Sequence, residues 1–221
     1  MNKTQLEILQ NALDIELNEE KIKKFEQYMK FFLEKNAHTN LISKNDEKLL
    51  FEKHIFDSLA IHKFFKTQSD KASKSLLDIG TGGGFPAVPM SILYEDINIY
   101  PLDSITKKIN IIEEFKTELD LKNLFPTCER AENLQLNRNA KKYDFVTTRA
   151  VATLESILKY AIVNLKHEGY FIAYKSKKAM DELKDAEKTM KRLGAKVVDI
   201  IEYTLPLEEL YERNLIIFKK R

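Results

Sequence analysis

The sequence predicts a doubly wound α/β fold with a mostly parallel, seven-stranded sheet and a helical extension at its N-terminus. After residue 75, short apolar runs alternate with helical stretches, which is the rhythm of βαβ units. Between the last two strands there is only a turn-rich segment containing Pro206, so these strands should pair antiparallel at one edge. Before residue 75 the pattern is helical. We therefore expect a helical extension over residues 1–70 and a core over residues 71–221.

The predicted extension contains two helices joined by a polar turn. Ile22, Phe25, Met29 and Phe32 recur at a three- to four-residue spacing, and Asn18 can cap the helix that carries them. A second helix should begin near Asp46. The polar tract Thr67–Ser75 then predicts a linker to the core.

The predicted core alternates strands and helices. Pro101 lies inside the second strand, where its missing N–H requires a strand end or a bulge. The strands are expected at 76–79, 97–102, 124–128, 143–148, 170–175, 196–203 and 214–219. The helices are expected at 87–94, 105–119 with Ser104 as its cap, 154–165 and 179–193.

Composition excludes several classes of protein. No apolar run approaches the roughly 18 residues needed to span a bilayer, and the first ten residues lack the pattern of a signal peptide, so we expect a cytoplasmic protein without membrane contact. The single cysteine, Cys128, excludes an internal disulfide and a cysteine-based zinc cluster, and we predict no metal site. The net charge of +2 gives no global electrostatic case for nucleic-acid binding, so any RNA surface must be local.

A glycine-rich turn follows the first strand. Four of the chain's 6 glycines lie in the segment from Gly80 to Gly84, before a helix, where the backbone can turn tightly and approach a cofactor. A dinucleotide-binding turn would place a third glycine at position 85, which is Phe85. The spacing of Gly80, Gly82 and Gly84 is instead typical of class I methyltransferases, whose fold is Rossmann-like.

Two further candidate cofactor contacts follow the glycine turn, in the order expected of class I methyltransferases. Asp103 ends the second strand, where a carboxylate can accept hydrogen bonds from both hydroxyls of an adenosine ribose. Ala131 and Glu132 follow the third strand, a place where class I enzymes commonly contact adenine. A nicotinamide-dependent dehydrogenase and a small-molecule methyltransferase remain alternatives, as does a noncatalytic RNA-binding protein that keeps the fold.

The segment after the fourth strand bears on the methyl acceptor. It contains neither the Asn/Asp-Pro-Pro-aromatic motif of exocyclic-amine methyltransferases nor a cysteine nucleophile, and we expect Cys128 to be a packing residue. An acceptor that already exposes a lone pair, such as guanine N7, remains. Arg149 and Lys175 could position it by binding guanine O6 or a phosphate, although Arg149 could equally form a salt bridge or contact the cofactor.

The chain resembles the bacterial ribosomal RNA small subunit methyltransferase G family, also called glucose-inhibited division protein B. The resemblance covers nearly the whole chain in order, and the GFP after the glycines and the RAVA after the fourth strand are its most distinctive parts. The matching stretches are NAHTNLI (36–42), HIFDSL (54–59), LDIGTGGGFP (77–86), LDSITKK (102–108), RAE (130–132) and YDFVTTRAVA (143–152).

This resemblance implies an enzyme that uses S-adenosyl-L-methionine to methylate N7 of guanine 527, in the 530 loop of 16S rRNA. Its partner would be 16S rRNA within the small ribosomal subunit, and we expect a monomer. It also implies a set of cofactor contacts, namely Gly80, Phe85, Ala131, Glu132 and Arg149. His54, Asp57 and Ser58 match a family motif whose role the sequence does not reveal, and we expect an internally hydrogen-bonded helix pair there.

Overall fold

The computed structural model describes residues 1–68, 74–134 and 141–220. In these ranges seven strands form one sheet of order β3-β2-β1-β4-β5-β7-β6. Neighbours from β3 to β5 are parallel, and β7 pairs antiparallel with both β5 and β6. The strands are β1 (Lys74–Ile79), β2 (Ile97–Asp103), β3 (Thr127–Cys128), β4 (Tyr143–Arg149), β5 (Leu165–Ser176), β6 (Ala195–Thr204) and β7 (Glu212–Lys220). The predicted sheet, with its antiparallel edge, is confirmed.

Helices cover both faces of the sheet. A 3-10 turn (Glu47–Leu49) and a π-helix (Leu50–Phe56) lie between the second and third α-helices. The α-helices are α1 (Lys3–Leu13), α2 (Glu19–Thr39), α3 (Asp57–Leu59), α4 (His62–Phe65), α5 (Ala87–Leu93), α6 (Thr106–Glu118), α7 (Ala131–Leu134), α8 (Leu154–Asn164) and α9 (Ala179–Leu193). None of the helices in the described ranges is long and apolar enough to cross a membrane.

The two faces follow from the alternation of side chains along each strand. On β5, Ile172 and Tyr174 pack into one apolar cluster with the N-terminal helices, α5 and α6. Phe171 and Ala173 pack into a second cluster with α8 and α9. Because the N-terminal helices share the first cluster with the sheet, they form part of one of its covering layers.

Side-chain caps mark the starts of the first two N-terminal helices. Asn18 caps α2 by accepting the Lys21 N–H at 2.9 Å, and Phe25 and Phe32 are fully buried, as the apolar spacing predicts. The helix expected near Asp46 is instead divided into the 3-10 turn, the π-helix, α3 and α4. The predicted boundary at 70/71 and the middle of the predicted linker lie outside the described residues, whereas Ser75 already belongs to β1.

Pro101 lies within β2, opposite Asp78 of β1. The N–H and C=O of Ile99 bond toward residues 123 and 125, on the β3 side, whereas the C=O of Leu102 accepts the Gly80 N–H from the β1 side. Since these directions alternate along a strand, the nitrogen of Pro101 faces β3, a two-residue edge strand. The proline therefore removes no hydrogen bond between β2 and β1.

The start of α6 differs from the prediction. Ser104 is exposed, and the capping position is Ile105, whose side chain offers no hydrogen-bond acceptor. The expected side-chain cap is therefore wrong. Asp103 instead bonds to the capping residue itself, because its Oδ1 accepts the Ile105 N–H at 3.0 Å.

Candidate active site

A cavity of about 520 Å³ lies at the carboxyl ends of the central strands. Doubly wound sheets bind ligands at this edge, outside the point where the strand order reverses, which here is between β1 and β4. The volume lies within the roughly 300–1,000 Å³ of small-molecule sites. The structure brings most of the predicted site residues to its wall, namely Gly80, Gly82, Phe85, Asp103, Ala131, Glu132 and Arg149.

The glycine turn forms the floor of this cavity. Gly80 has φ +72°, and a Cβ built there would lie 2.5 Å from Val151 Cγ2, so a side chain at this position would be strained and would force Val151 to shift. Gly82 has φ +59°, and a Cβ there would meet nothing nearer than the Gly80 carbonyl oxygen at 4.0 Å. The space beside Gly82 is therefore left open for a ligand.

Asp103 connects this turn to the end of β2. Its carboxylate is almost fully buried, with Oδ2 accepting the Gly82 N–H and Oδ1 accepting the Ile105 N–H, each at 3.0 Å. The Leu102 carbonyl adds bonds from the N–H groups of Gly80 and Thr81, at 2.8 and 3.0 Å. A carboxylate has about four acceptor positions, so Asp103 keeps capacity for a ligand's hydroxyl groups.

Arg149 and Phe85 form another part of the wall. The Arg149 guanidinium lies 5.3 Å from the centre of the Phe85 ring, and the His54 ring lies 5.0 Å from it. Phe85 is buried against Tyr28 and Phe32 of α2. A dinucleotide-binding turn would have its third glycine at position 85. Here Phe85 instead packs between the glycine turn and the N-terminal helices.

Comparison with known proteins identifies the family. The family model described as GidB, rRNA small subunit methyltransferase G, matches residues 21–214. Ribosomal RNA small subunit methyltransferase G of Lachnoclostridium phytofermentans is 36% identical over 210 residues, which are 95% of this chain and 85% of that protein. The protein of the same name from Clostridium botulinum (strain 657, type Ba4) is 37% identical over 211 residues, or 95% and 87% of the two chains.

The chain belongs to the rRNA small subunit methyltransferase G family. Solved structures agree on the fold of this methyltransferase. An O-methyltransferase from Bacillus cereus in complex with SAH has a TM-score of 0.62 at 11% identity, covering 98% of this chain and 97% of the other. M. jannaschii TYW2 in complex with AdoMet has a TM-score of 0.56 at 15% identity, covering 75% and 76%.

The N-terminal helices of the methyltransferase also contribute to the cavity, which the sequence did not predict. Leu41 and Ile42, in the turn after α2, line it. Asn36 holds this turn, because its Oδ1 accepts the Ile42 N–H at 2.9 Å while its Nδ2 donates to the Ile42 carbonyl at 3.2 Å. The NAHTNLI motif contains all three residues. This motif was therefore the sequence signal from which their contribution to the cavity could have been predicted.

The HIFDSL motif of the methyltransferase bonds to the sheet as well as within its own segment. Asp57 accepts hydrogen bonds from Arg149, Tyr203 and Arg213, which belong to β4, β6 and β7. Ser58 donates to the His54 carbonyl at 2.6 Å, which is a local bond of the expected kind, and its own carbonyl accepts the Tyr174 hydroxyl. The expectation of an internally bonded helix pair is therefore wrong for Asp57, because its partners come from distant strands.

Two predicted residues of the methyltransferase do not line the cavity. A Cβ at Gly84 would lie 2.7 Å from Val88 Cγ2, so this glycine serves the packing of α5. The Lys175 ammonium donates to the Ala152 carbonyl and to Glu182, both at 2.7 Å. Cys128, expected to be a packing residue, is exposed, because β3 is a short edge strand.

Burial shifts two ionisable groups near the site in opposite directions. Burial raises the pKa of Asp78, at the end of β1, to about 7, although Thr147 Oγ1 donates to its Oδ1 at 3.0 Å. Burial, followed by the nearby charge of Arg149, lowers the pKa of His54 to about 4. Because Arg149 Nη2 can only donate, His54 Nδ1 accepts across their 2.7 Å contact, and the proton of the neutral ring lies on Nε2.

Proposed function

We propose that this methyltransferase transfers the methyl group of S-adenosyl-L-methionine to N7 of a guanine, position 527, in the 530 loop of 16S rRNA in the small ribosomal subunit. The observation that carries the proposal is the cavity at the switch point, which gathers the glycine turn, Asp103, Ala131, Glu132 and Arg149. The names of its relatives support an rRNA of the small subunit as the substrate.

The residues of the cavity fit this cofactor. The open space beside Gly82 admits a ligand to the backbone, and the remaining acceptor positions of Asp103 suit ribose hydroxyls. Ala131 and Glu132 line the cavity on the β3 side, where they would hold the adenine, and Arg149 offers a cation for the carboxylate of the methionine portion. When bound, the cofactor supplies an electrophilic methyl group on a sulfonium.

The methyl acceptor has to be positioned, but no proton has to be removed from it. Guanine N7 carries a lone pair and no proton, so it needs alignment with the methyl group rather than a base. The segment after β4, Ala150–Ala152, lines the cavity with small or apolar side chains and no nucleophile. Cys128 is exposed on β3 and is not among the cavity residues, which disfavours a covalent route through that cysteine.

The decisive experiment supplies labelled S-adenosylmethionine to small subunits that lack the modification. Borohydride and aniline cleavage then maps N7-methylguanine, and we expect one cleavage site in the 530 loop that depends on the protein. Free 16S rRNA, tested in parallel, shows whether the assembled subunit is required. Label in neither substrate would refute rRNA methylation, whereas label at another atom would refute only the N7 assignment.

The same preparation tests the remaining parts of the proposal. We propose that the protein acts as a cytoplasmic monomer, so sedimentation should give the mass of one 25.8 kDa chain. A protein that binds the subunit and S-adenosylmethionine without turnover would instead be a noncatalytic assembly factor. Lys175 keeps its predicted positioning role only if Lys175→Met raises the KM for the subunit while leaving the affinity for the cofactor unchanged.

A further inference from the structure

Asp57 is a buried carboxylate shared by three strands. Its side chain is only 3% exposed, and it lies directly after the π-helix. Arg213 binds it in a two-pronged arrangement, from Nε to Oδ1 at 3.1 Å and from Nη2 to Oδ2 at 3.2 Å. Tyr203 donates to Oδ1 at 2.5 Å, and Arg149 donates to Oδ2 at 2.9 Å. One negative charge thus balances two guanidinium groups.

Of the two cations, Arg149 lines the cavity and Arg213 does not. The other side-chain hydrogen bonds of Arg149 go to the same short segment that contains Asp57. Its Nη1 donates to the Lys53 carbonyl at 3.2 Å, and its Nη2 contacts His54 Nδ1 at 2.7 Å. The orientation of this cavity wall is therefore set by residues 53–57 and not by β4 alone.

A π-helix contains two of the three residues that bond to Arg149 from this segment, and the third, Asp57, follows it directly. Its i→i+5 pattern is wider than an α-helix, and such turns often occur at functional sites. Lys53 and His54 lie inside it, and the Lys53 carbonyl accepts a bond from a side chain on a distant strand. A local irregularity of the backbone thus presents a carbonyl oxygen, an imidazole nitrogen and a carboxylate to one guanidinium.

We propose that Asp57 is a positioning residue for cofactor binding, which acts by holding the Arg149 guanidinium on the cavity wall. Without its charge, Arg149 and Arg213 would lose the one carboxylate that forms an ion pair with both of them among the described residues, and Arg149 would leave the wall. This inference depends on the proposed function, because the affinity for S-adenosylmethionine is the quantity that Asp57 should control.

The test is the affinity of the folded protein for S-adenosylmethionine, measured by calorimetry. We expect Asp57→Asn to weaken binding by about tenfold or more, as expected for a buried charge pair that loses one partner. The KM for S-adenosylmethionine should rise more than kcat falls. The matched control is Asp144→Asn at the other end of β4, where the carboxylate accepts from Ser75 and Lys166 at 2.9 Å. The affinity of Asp144→Asn for S-adenosylmethionine should stay within about twofold of wild type, well below a tenfold change.

Arg213→Gln separates positioning from general stability. This substitution leaves Asp57 paired with Arg149 alone. It should therefore lower the melting temperature but preserve the affinity for S-adenosylmethionine. A double-mutant cycle with Arg149→Gln adds a second criterion, because Asp57→Asn should have little further effect once Arg149 is absent. If Asp57→Asn does not fold, Asp57→Glu keeps the charge but displaces the carboxylate, and it should bind the cofactor about fivefold more weakly.

Three results would overturn the proposal. They are an unchanged affinity in the folded Asp57 variant, full additivity in the cycle, and losses of affinity in Arg213→Gln that scale with its loss of stability. Failure of the wild-type protein to bind S-adenosylmethionine would instead refute the proposed function, so the two failures are distinguishable.

Discussion

Asp103 and Gly82 are joined by a hydrogen bond of 3.0 Å, from the Gly82 N–H to Asp103 Oδ2. The bond connects the end of β2 with the middle of the glycine turn, two segments that are 21 residues apart in the sequence. The carboxylate predicted to bind a ribose therefore also supports the glycine turn. Substitution of Asp103 should remove both the proposed ribose contact and this support.

We expect Asp103→Ala to weaken binding of S-adenosylmethionine by about 1–3 kcal/mol through lost charge-assisted hydrogen bonds. Calorimetry at constant salt measures this change. Asp199→Ala is the matched control, because Asp199 is exposed on the edge strand β6 and its Oδ1 accepts the N–H of the next residue. Equal affinity in Asp103→Ala and wild type would show that Asp103 does not contribute to cofactor binding.

Gly80→Ala should destabilise the protein by about 2–4 kcal/mol and abolish cofactor binding, because the new Cβ would collide with Val151 at a positive φ. Gly194→Ala is the control. Gly194 has φ +65°, but a Cβ there meets nothing within 4 Å, so only the backbone strain of about 1 kcal/mol applies. Urea unfolding measures both variants, and equal losses would show that the contact with Val151 is unimportant.

His54 should make the protein less stable in mild acid. Its pKa of about 4 in the folded protein lies below its unfolded value of 6.5, so the unfolded chain binds a proton first. The free energy of unfolding should therefore fall by about 1–3 kcal/mol as the pH decreases from 6.5 through 4. His54→Asn keeps an acceptor for Arg149 and should lose this dependence. His167→Asn, at an exposed histidine, should retain the wild-type slope.

Asp78 should make the protein less stable as the pH rises, which is the reverse of the effect of His54. Its pKa of about 7 in the folded protein exceeds the unfolded value of 3.8, so the folded state holds the proton more tightly and stability falls as the pH rises from 3.8 to 7. Asp78→Asn keeps the acceptor for Thr147 and should be more stable than wild type at pH 8, by about 2–4 kcal/mol, but not at pH 4. A stability difference that is independent of pH would contradict this explanation.

Much of the fold could be predicted because its signals are local. The strand beginning at Tyr143 and the helix Ala179–Leu193 were recognisable from apolar patterning over short windows. The glycine spacing from Gly80 and the terminal position of Asp103 predicted the floor of the cavity for the same reason. Errors occurred where a local signal was misleading, as at Ser104, which could cap a helix but leaves that position to Ile105.

Other features depend on which segments meet in space. Nothing in the sequence around Asp57 indicates that its partners are Arg149, Tyr203 and Arg213, because the nearest of these is 92 residues away. The exposure of Cys128 likewise follows from the position of β3 at the sheet edge. Long-range contacts of this kind leave no periodic trace in the chain.

The sequence by itself determined the class of fold, the family and the glycine turn that lines the cavity, since glycine spacing and apolar periodicity act over a few residues. Only the tertiary structure decided that Lys175 is paired with Glu182 and does not itself line the cavity, and that a π-helix in the N-terminal segment holds Arg149. The physical reason is that a charged side chain has many rotamers, and its orientation is fixed only by buried partners that the folded sheet brings together.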